Sequence, residues 1–303
     1  MAFELLDLKP RNPFVSVALD EALCRFTARQ GGVGGLRLWS NPTSIILGRT
    51  CEAHKNLNDP EERLLLTHKK SNWNNRALLC RRASGGGTVL HGPGNLNYSV
   101  FVSLKHSPEM FSLRHSYARL LEMVQRALTA QGIATELRGQ SDLVLASGEG
   151  VSRKISGNAQ FRKHNVLVLH GTLITRPDLI EKISQHLKHP PKEPDYRAGR
   201  NHRSFLGSLP DSFDLSAFYS CFAREFRQLL GVDRLTPLGE ADRREVYRGV
   251  RRLVYASYAS REWILNGKLN YAAAKSLVPP TARIATEASP IASPQVIGGG
   301  AAG

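Results

Sequence analysis

The chain has 303 residues, enough for one large domain with a substantial core, and 41% are hydrophobic while 22% are charged. The formal net charge of +15 predicts an acidic partner: nucleic acid, an anionic membrane, a phosphate-bearing small molecule or an acidic protein. The basic residues form small scattered groups, which argues against a nucleic-acid arm, and no apolar run reaches transmembrane length.

The cysteines and the N-terminus favour a cytoplasmic protein. The four cysteines are widely separated and form no C-x-x-C pair, so neither a zinc site nor a redox motif is indicated. The opening stretch MAFELLDLKPRNPF carries acidic residues and lacks the apolar core of a secretory signal. We therefore expect reduced thiols in a cytoplasmic location.

The N-terminal half predicts one helix and several strands. Residues 15–32 have apolar residues at helical spacing and end in a glycine pair. Apolar residues on both sides of an Asn-Pro dipeptide predict two strands within 36–49, and 51–75 are polar and irregular. Further strands are predicted at 76–82 and 95–104.

The C-terminal half combines helices with a hairpin. Residues 112–133 carry an apolar face at helical spacing, whereas 153–160 and 165–174 are typical of two hairpin arms. Residues 211–266 predict further helices, and 278–303 are rich in Pro, Ala, Ser and Gly without periodicity, which indicates a disordered tail. Hairpin-linked strands among long helices predict an α+β fold, with one mixed or antiparallel sheet packed with helices.

Residues 81–100, RRASGGGTVLHGPGNLNYSV, place backbone freedom beside hydrogen-bonding side chains. Three glycines allow close approach of a ligand to the main chain, although a bulge or tight turn without a ligand also explains them. No Lys-Ser/Thr pair or helix start follows, so a P-loop or dinucleotide fingerprint is not indicated. Arginines before the glycines, and His91 and two asparagines after them, would meet a phosphate or carboxylate from both sides.

A second polar cluster follows in the predicted hairpin. Lys154 lies just before Ser156 and Gly157, Asp142 precedes it, and His170 stands on the returning arm. Such a lysine often simply faces water, and His170 is equally well interpreted as a core residue. Beside the arginines, however, Lys154 would neutralise a phosphate and stabilise the charge that develops during acyl or phosphoryl transfer.

These blocks together resemble the lipoate-protein ligase A family of the biotin/lipoate protein ligase superfamily. The resemblance is carried by RRASGGGTVLHGPGNLNYS, SDLV, RKISGNAQ and HGTLI, with weaker matches in ALDEAL and NPTSIILGR. It covers roughly 14–180 in the expected order. It implies a biotin/lipoate protein ligase-like catalytic domain over 1–277, which includes a C-terminal helical part at 211–266.

The resemblance also implies an activity. Lipoate would be activated with ATP and Mg²⁺ to lipoyl-AMP and transferred to a lysine of an acceptor protein, with no metal ligand assigned to the chain. Lys154 would be the catalytic residue, and Asp142 would face the adenylate or the acceptor lysine. The remaining residues expected to bind substrate or adenylate are Arg82, Ser84, Gly85, Gly86, Gly87, His91, Asn95, Gly157, Ala159, His170 and Gly171.

The expected partner is an acidic lipoyl domain or an H-protein. The basic loop around Arg197, Arg200 and Arg203 is predicted to dock this acceptor or to close over the adenylate phosphate. Many single-chain ligases carry a further C-terminal domain, and only 93 residues follow Pro210, so a separate accessory protein is a further expected partner. Neither nucleic acid nor membrane is an expected partner.

Three alternatives stay open. Relatives in the superfamily transfer octanoyl or lipoyl groups from a carrier through a cysteine, which is absent from the corresponding stretch ELRGQSDLV, although Cys51 or Cys80 can approach the site in three dimensions. A non-catalytic nucleotide- or acyl-binding protein would have the pocket without turnover, but the combination of Arg82, Lys154 and Asp142 argues against it. A nucleic-acid-binding function would explain the charge, but the sequence lacks the aromatic and basic platform that such a function requires.

Overall fold

Two β-sheets organise the chain in this computed structural model, which describes residues 1–10, 12–68, 77–146 and 151–268. The large sheet has eight strands, in the order β11 (Thr236–Pro237), β1 (Ala2–Asp7), β2 (Gly34–Trp39), β6 (Asn95–Ser103), β10 (Val166–Ile174), β9 (Lys154–Lys163), β8 (Asp142–Leu145) and β7 (Thr135–Arg138). The small sheet has three, in the order β4 (Leu78–Arg81), β3 (Ser44–Leu47) and β5 (Val89–His91).

Both sheets are mixed. Strand β1 runs parallel to β2 and β11, whereas the other pairs of the large sheet are antiparallel. Strand β3 runs parallel to β4 and antiparallel to β5. The predicted hairpin is formed by β9 and β10, and His164 and Asn165 at its turn have positive φ angles of 54° and 58°. The α+β prediction with a mixed sheet is therefore confirmed.

Helix α1 (Pro13–Arg29) covers one face of the large sheet. It begins where the Asn12 side chain accepts a hydrogen bond from the Phe14 amide at 2.9 Å, with a proline at the first turn. Its inner side contacts β6 and β10, and α8 (Glu240–Leu253) packs on its outer side. Because it lies between two layers, α1 also buries polar residues such as Asp20 and Glu21.

Helices α4 (Leu113–Thr129) and α7 (Leu215–Leu230) cover the opposite face. Their apolar sides form a second core with the large sheet, in which the rings of Phe218 and Phe222 stack 5.4 Å apart. Ser112 caps α4 and Asp214 caps α7, each through a side-chain oxygen that accepts a backbone N–H. Because helices cover both faces of the large sheet, a binding site can lie only at the sheet edges or at the end of the α1 face that α1 does not cover.

The remaining helices are short: α2 (Ala53–Asn56), α3 (Pro60–His68), α5 (Asp178–His186), α6 (His202–Phe205) and α9 (Arg261–Asn266). The prediction of irregular structure over 51–75 was wrong where α2 and α3 form; for α3, a proline start and two first-turn glutamates are helix-start signals. Its last part, 69–75, lies outside the described residues. The predicted tail at 278–303 lies outside the described residues, and the domain bounds stay a prediction. None of the described helices combines the length and hydropathy that a membrane crossing requires.

Candidate active site

A row of five residues crosses the α1 face of the large sheet near one end of α1. Trp39, Asn97, Thr172, Gly157 and Asp142 are register partners on five successive strands, β2, β6, β10, β9 and β8. Residues in register on neighbouring strands point to the same side of a sheet. All five line a cavity of about 170 Å³, which we call the inner cavity.

The glycine loop between β4 and β5 forms the roof of the inner cavity. The buried Arg82 guanidinium donates to the carbonyls of Gly85 at 2.6 Å and Gly87 at 2.8 Å, and to Ser84 Oγ at 2.9 Å. Gly86, with φ of 82°, is in the left-handed region that favours glycine. Burial lowers the pKa of Arg82 to about 10, so the guanidinium stays charged at neutral pH. Arg82 therefore shapes the loop and places a positive charge against the cavity.

A chain of buried polar contacts connects this loop with α1. Ser84 Oγ lies 2.6 Å from His170 Nε2, and His170 Nδ1 lies 2.9 Å from Asp20 Oδ2. Arg37 donates to Asp20 Oδ1 at 2.7 Å and to Asp7 Oδ2 at 3.0 Å. Burial opposes the charge of Asp20, but the Arg37 charge and the His170 hydrogen bond outweigh it, so the pKa of Asp20 is lowered. The loop is thus anchored to a charged network beneath the site.

His91 is buried in the same wall. Its Nδ1 lies 3.2 Å from the amide nitrogen of Asn41, and its ring meets the Trp39 ring edge-on at 5.5 Å. Burial and the nearby positive charge of Arg82 lower the pKa of His91 to about 3. The imidazole is therefore neutral near pH 7, with Nδ1 accepting from Asn41 and the proton on Nε2.

Lys154 lies at the mouth of the inner cavity. Its ammonium is 2.9 Å from Asp142 Oδ1, and Tyr196 donates its hydroxyl proton to Asp142 Oδ2 at 2.7 Å. The lysine side chain extends over Gly157, where an added Cβ would lie 3.1 Å from both Cε and Nζ. Burial and the Asp142 charge raise the pKa of Tyr196. One carboxylate thus holds a lysine and a tyrosine at the rim.

A second, outer cavity of about 310 Å³ adjoins the first. The two share Lys154, Asp142, Gly157, Thr172, Ser141 and the segment 87–89. Basic residues dominate the charged lining of the outer cavity: Arg138, Lys154, Lys188, Lys192 and Arg197. Arg197 is 4% exposed, and its Nη2 has no hydrogen-bond partner among the described residues. This cavity is therefore suited to an anion.

Comparison with known proteins decides the family. Residues 12–227 match the family described as the lipoyl protein ligase A/B catalytic domain. The chain belongs to this family. A putative lipoate-protein ligase A of Aeropyrum pernix is 29% identical over 174 residues, 57% of this chain and 58% of that protein. Lipoate-protein ligase LplJ of Bacillus subtilis is 37% identical over 139 residues, 46% of this chain and 36% of that protein. Each match spans less than two thirds of the relative.

Solved structures share the fold of this ligase A/B domain. A bi-partite lipoate protein ligase of Thermoplasma acidophilum, described with its E2 lipoyl domain, aligns with a TM-score of 0.67 at 24% identity, covering 88% of this chain and 98% of that one. A lipoate-protein ligase A bound with ATP aligns with a TM-score of 0.64 at 24% identity, covering 88% and 100%. The predicted membership of the lipoate ligase family and its fold are confirmed.

Most residues predicted for the ligase A/B site converge on the two cavities. Arg82, Gly86, Gly87, His91, Asp142, Lys154, Gly157, Ala159, His170 and Gly171 line the inner cavity. Ser84 and Gly85 do not line the inner cavity, but both accept hydrogen bonds from the Arg82 guanidinium. Asn95 donates to the Thr172 hydroxyl and supports the row from outside the cavity. Their roles toward substrate stay predictions.

The backbone of Gly171 lines the inner cavity, but a side chain at this position would point to the opposite face of the large sheet. An added Cβ would overlap Asn158 Oδ1 and lie 2.5 Å from the Tyr98 hydroxyl, on the α4 side of the sheet. The Tyr98 hydroxyl donates to Asn158 Oδ1 at 2.5 Å there. The glycine is thus required by packing behind the site.

The three arginines predicted to dock an acceptor differ in exposure. Arg197 is buried, with its guanidinium carbon 4.6 Å from the Phe205 ring centroid. Arg200 also lies over Phe205, at 5.2 Å, and donates to backbone carbonyls. Arg203 is exposed and forms two hydrogen bonds of 2.7 Å with Glu181. Docking by this loop stays a prediction, and Arg197 faces the outer cavity instead of the surface.

Two further points concern thiols and metals. Cys80 is fully buried, and burial raises its pKa well above the usual range; Cys51 donates its thiol proton to the Gly86 carbonyl at 3.2 Å. No cysteine is among the described residues that line either cavity. No cluster of three or more metal-binding side chains occurs in the described part of the chain.

The sequence interpretation missed Asp20, Trp39 and Tyr196 as parts of the site, whereas Asn97 was expected only as one of two asparagines that would meet a phosphate or carboxylate. Asn95, Asn97 and Ser99 alternate along β6, and this period of two was the available signal for polar residues on one sheet face. Tyr196 joins the site through a long loop, which no local pattern indicates.

Proposed function

We propose that the chain is the catalytic domain of an ATP-dependent lipoate-protein ligase. The observation that carries the proposal is the position of Lys154 at the junction of the two cavities. The inner cavity accommodates an acyl group, and the basic outer cavity suits the phosphates of a nucleotide. A carboxylate and an α-phosphate would therefore meet beside one ammonium group.

In the first half-reaction, a carboxylate oxygen of lipoate attacks the α-phosphorus of ATP. The bond from this phosphorus to the bridging oxygen breaks, pyrophosphate leaves with the electron pair, and lipoyl-AMP forms. The step brings two anions together, so fixed positive charge lowers the barrier. Lys154 and Arg197 supply that charge, and Arg82 holds the loop whose Gly86 and Gly87 line the inner cavity.

In the second half-reaction, the neutral amine of an acceptor lysine attacks the lipoyl carbonyl carbon. The bond from this carbon to the phosphate oxygen breaks, AMP leaves, and the amine loses a proton as the amide forms. No nucleophile from the enzyme is needed. Asp142 lies at the rim where the acceptor lysine would enter and is placed to orient its amine.

Mg²⁺ enters the proposal with ATP. Magnesium is usually held by one or two carboxylates together with substrate phosphates, and it neutralises their charge. Both oxygens of Asp142, the carboxylate at the junction of the two cavities, are engaged by Lys154 and Tyr196, so we assign it no metal-ligand role and expect Mg²⁺ to be held by the phosphates of ATP.

We propose a lipoyl domain or H-protein as acceptor. The Thermoplasma acidophilum ligase is described with its E2 lipoyl domain, and the net charge of +15 favours an acidic partner. The same ligase is described as bi-partite, which supports a separate accessory protein here. We also propose a cytoplasmic location, in agreement with four free thiols.

The test uses the purified full chain with lipoate, MgATP and an unmodified lipoyl domain, with and without Lys154→Ala. We expect AMP formation and a gain of lipoyl mass on the acceptor only with ATP and an intact Lys154. Acyl transfer from an octanoyl carrier protein without ATP would instead identify a transferase and overturn the ligase proposal.

A further inference from the structure

The side chain of Asn97 is buried in the inner cavity without a partner. The residue is 1% exposed, and neither Oδ1 nor Nδ2 has a hydrogen-bond partner among the described residues. Burying an amide without hydrogen bonds costs free energy, so such a group usually meets a ligand or water. Asn97 therefore indicates where a group with hydrogen-bonding capacity is expected.

The other polar side chains of the row are engaged. Thr172 Oγ1 accepts from Asn95, Trp39 Nε1 donates to Ser99 Oγ at 2.9 Å, and Asp142 holds Lys154 and Tyr196. In the described structure, Asn97 is thus the polar member of this row whose hydrogen bonds are left for an occupant of the cavity.

The position of Asn97 along the row indicates which part of the occupant it meets. Lys154 extends over Gly157, and two strand spacings of about 4.8 Å separate Gly157 from Asn97. This distance of about 10 Å is comparable with an extended octanoyl chain. A substrate with its carboxylate at Lys154 and its chain along the row would place its far end at Asn97, against Trp39.

We propose that Asn97 selects the dithiolane ring of lipoate over the saturated tail of octanoate. The inference rests on the proposed function. Divalent sulfur is a weak hydrogen-bond acceptor and interacts favourably with aromatic rings, so the dithiolane would receive the Asn97 N–H beside Trp39. The methyl end of octanoate would leave the buried Asn97 amide without a hydrogen-bond partner. A site with a buried polar group discriminates against a substrate analogue that has no group to bond with it.

The experiment compares kcat/KM for adenylation of lipoate and of octanoate in the wild type and in Asn97→Leu. Leucine has a similar size but no hydrogen-bonding group. We expect the ratio of the lipoate value to the octanoate value to fall about tenfold in Asn97→Leu, the effect of one hydrogen bond. Because both acids are measured on the same preparation, the ratio is independent of the folded fraction.

Thr172→Val is the matched control from the same row. Thr172 lies between Lys154 and Asn97, where the two acids have the same methylene chain, so the ratio should stay at the wild-type value. An unchanged ratio in Asn97→Leu would overturn the inference. If the wild type adenylates neither acid, the proposed function fails, which is a different result.

A binding measurement tests the same placement without ATP. A disulfide quenches indole fluorescence at short range, so lipoate but not octanoate should quench the wild type, and Trp39→Phe should lose most of this quenching. Quenching that persists fully in Trp39→Phe would place the dithiolane elsewhere and contradict the inference.

Discussion

The ammonium nitrogen of Lys154 lies 2.9 Å from Oδ1 of Asp142. The pair stands at the rim shared by the inner and outer cavities. Its members lie on strands β9 and β8, and Gly157 below them leaves room for the lysine chain. In the proposed reaction, this geometry keeps a mobile cation at the point where carboxylate and phosphate meet, restrained by one carboxylate.

Lys154→Met removes this cation and retains most of the side-chain volume. We expect the rate of adenylation, measured by pyrophosphate release, to fall by at least about 100-fold, the usual effect of losing one group that stabilises a developing charge. Lys163→Met is the control, because Lys163 lies on the same strand but pairs with Glu21 at the far end of the hairpin. A Lys154→Met enzyme within a few-fold of wild type would contradict the assigned role.

The two glycines Gly157 and Gly171 should give opposite results when each is changed to alanine. At Gly157 a Cβ meets the flexible end of Lys154, so the lysine is displaced and adenylation slows while stability changes little. At Gly171 a Cβ meets Tyr98 and Asn158 behind the sheet, which costs roughly 1–3 kcal/mol of unfolding free energy. Denaturant unfolding and pyrophosphate release distinguish them, and a more destabilised Gly157→Ala would contradict the assignment.

Local sequence pattern was enough to predict much of the fold. The two strand-like runs at 153–160 and 165–174 predict the β9–β10 hairpin, and the apolar face of 112–133 predicts α4, because each of these signals is local in sequence. Lys154, Asp142 and the glycine loop were proposed as site residues from their motifs and from the family resemblance that these motifs carry. Their convergence on one cavity is consistent with that interpretation.

Register and tertiary packing explain what the sequence pattern missed. Trp39 and Asn97 become neighbours only because β2 pairs with β6 in one particular register. Asp20 belongs to a helix with few exposed positions, so helical spacing does not indicate that it faces Arg37 and His170. Strand β1 was missed because it has only six residues, and its two adjacent leucines, one buried and one exposed, obscure the alternation of a strand.

The network below the glycine loop predicts different effects for Asp20→Asn and Ser84→Ala. Asp20→Asn leaves buried Arg37 with one carboxylate fewer, and we expect a loss of about 3 kcal/mol in unfolding free energy. Ser84→Ala removes one hydroxyl between Arg82 and His170, and we expect a cost of about 1 kcal/mol together with a raised KM for lipoate. Denaturant melts and initial rates measure both effects. Equal stabilities of the two variants would contradict this division.

The buried imidazole of His91 predicts a loss of stability in mild acid. Its pKa is about 3 in the folded chain, because burial and the Arg82 charge disfavour protonation, against an ordinary value of 6.5. Between these values the unfolded chain binds a proton that the folded chain does not, so the unfolding free energy falls as the pH falls below 6.5. From pH 7.5 to 5.0 this contribution amounts to about 2 kcal/mol.

His91→Gln should remove that contribution. Denaturant unfolding at pH 7.5 and 5.0 gives the loss of unfolding free energy on acidification for each protein. The loss in the wild type minus the loss in the variant is the contribution of His91, because the contribution of the carboxyl groups is the same in both proteins. The control is His106→Gln, at an exposed histidine, which should keep the wild-type dependence. If His91→Gln and wild type lose equal stability on acidification, His91 is protonated in the folded chain, and its assignment as a neutral group bonded to Asn41 is wrong.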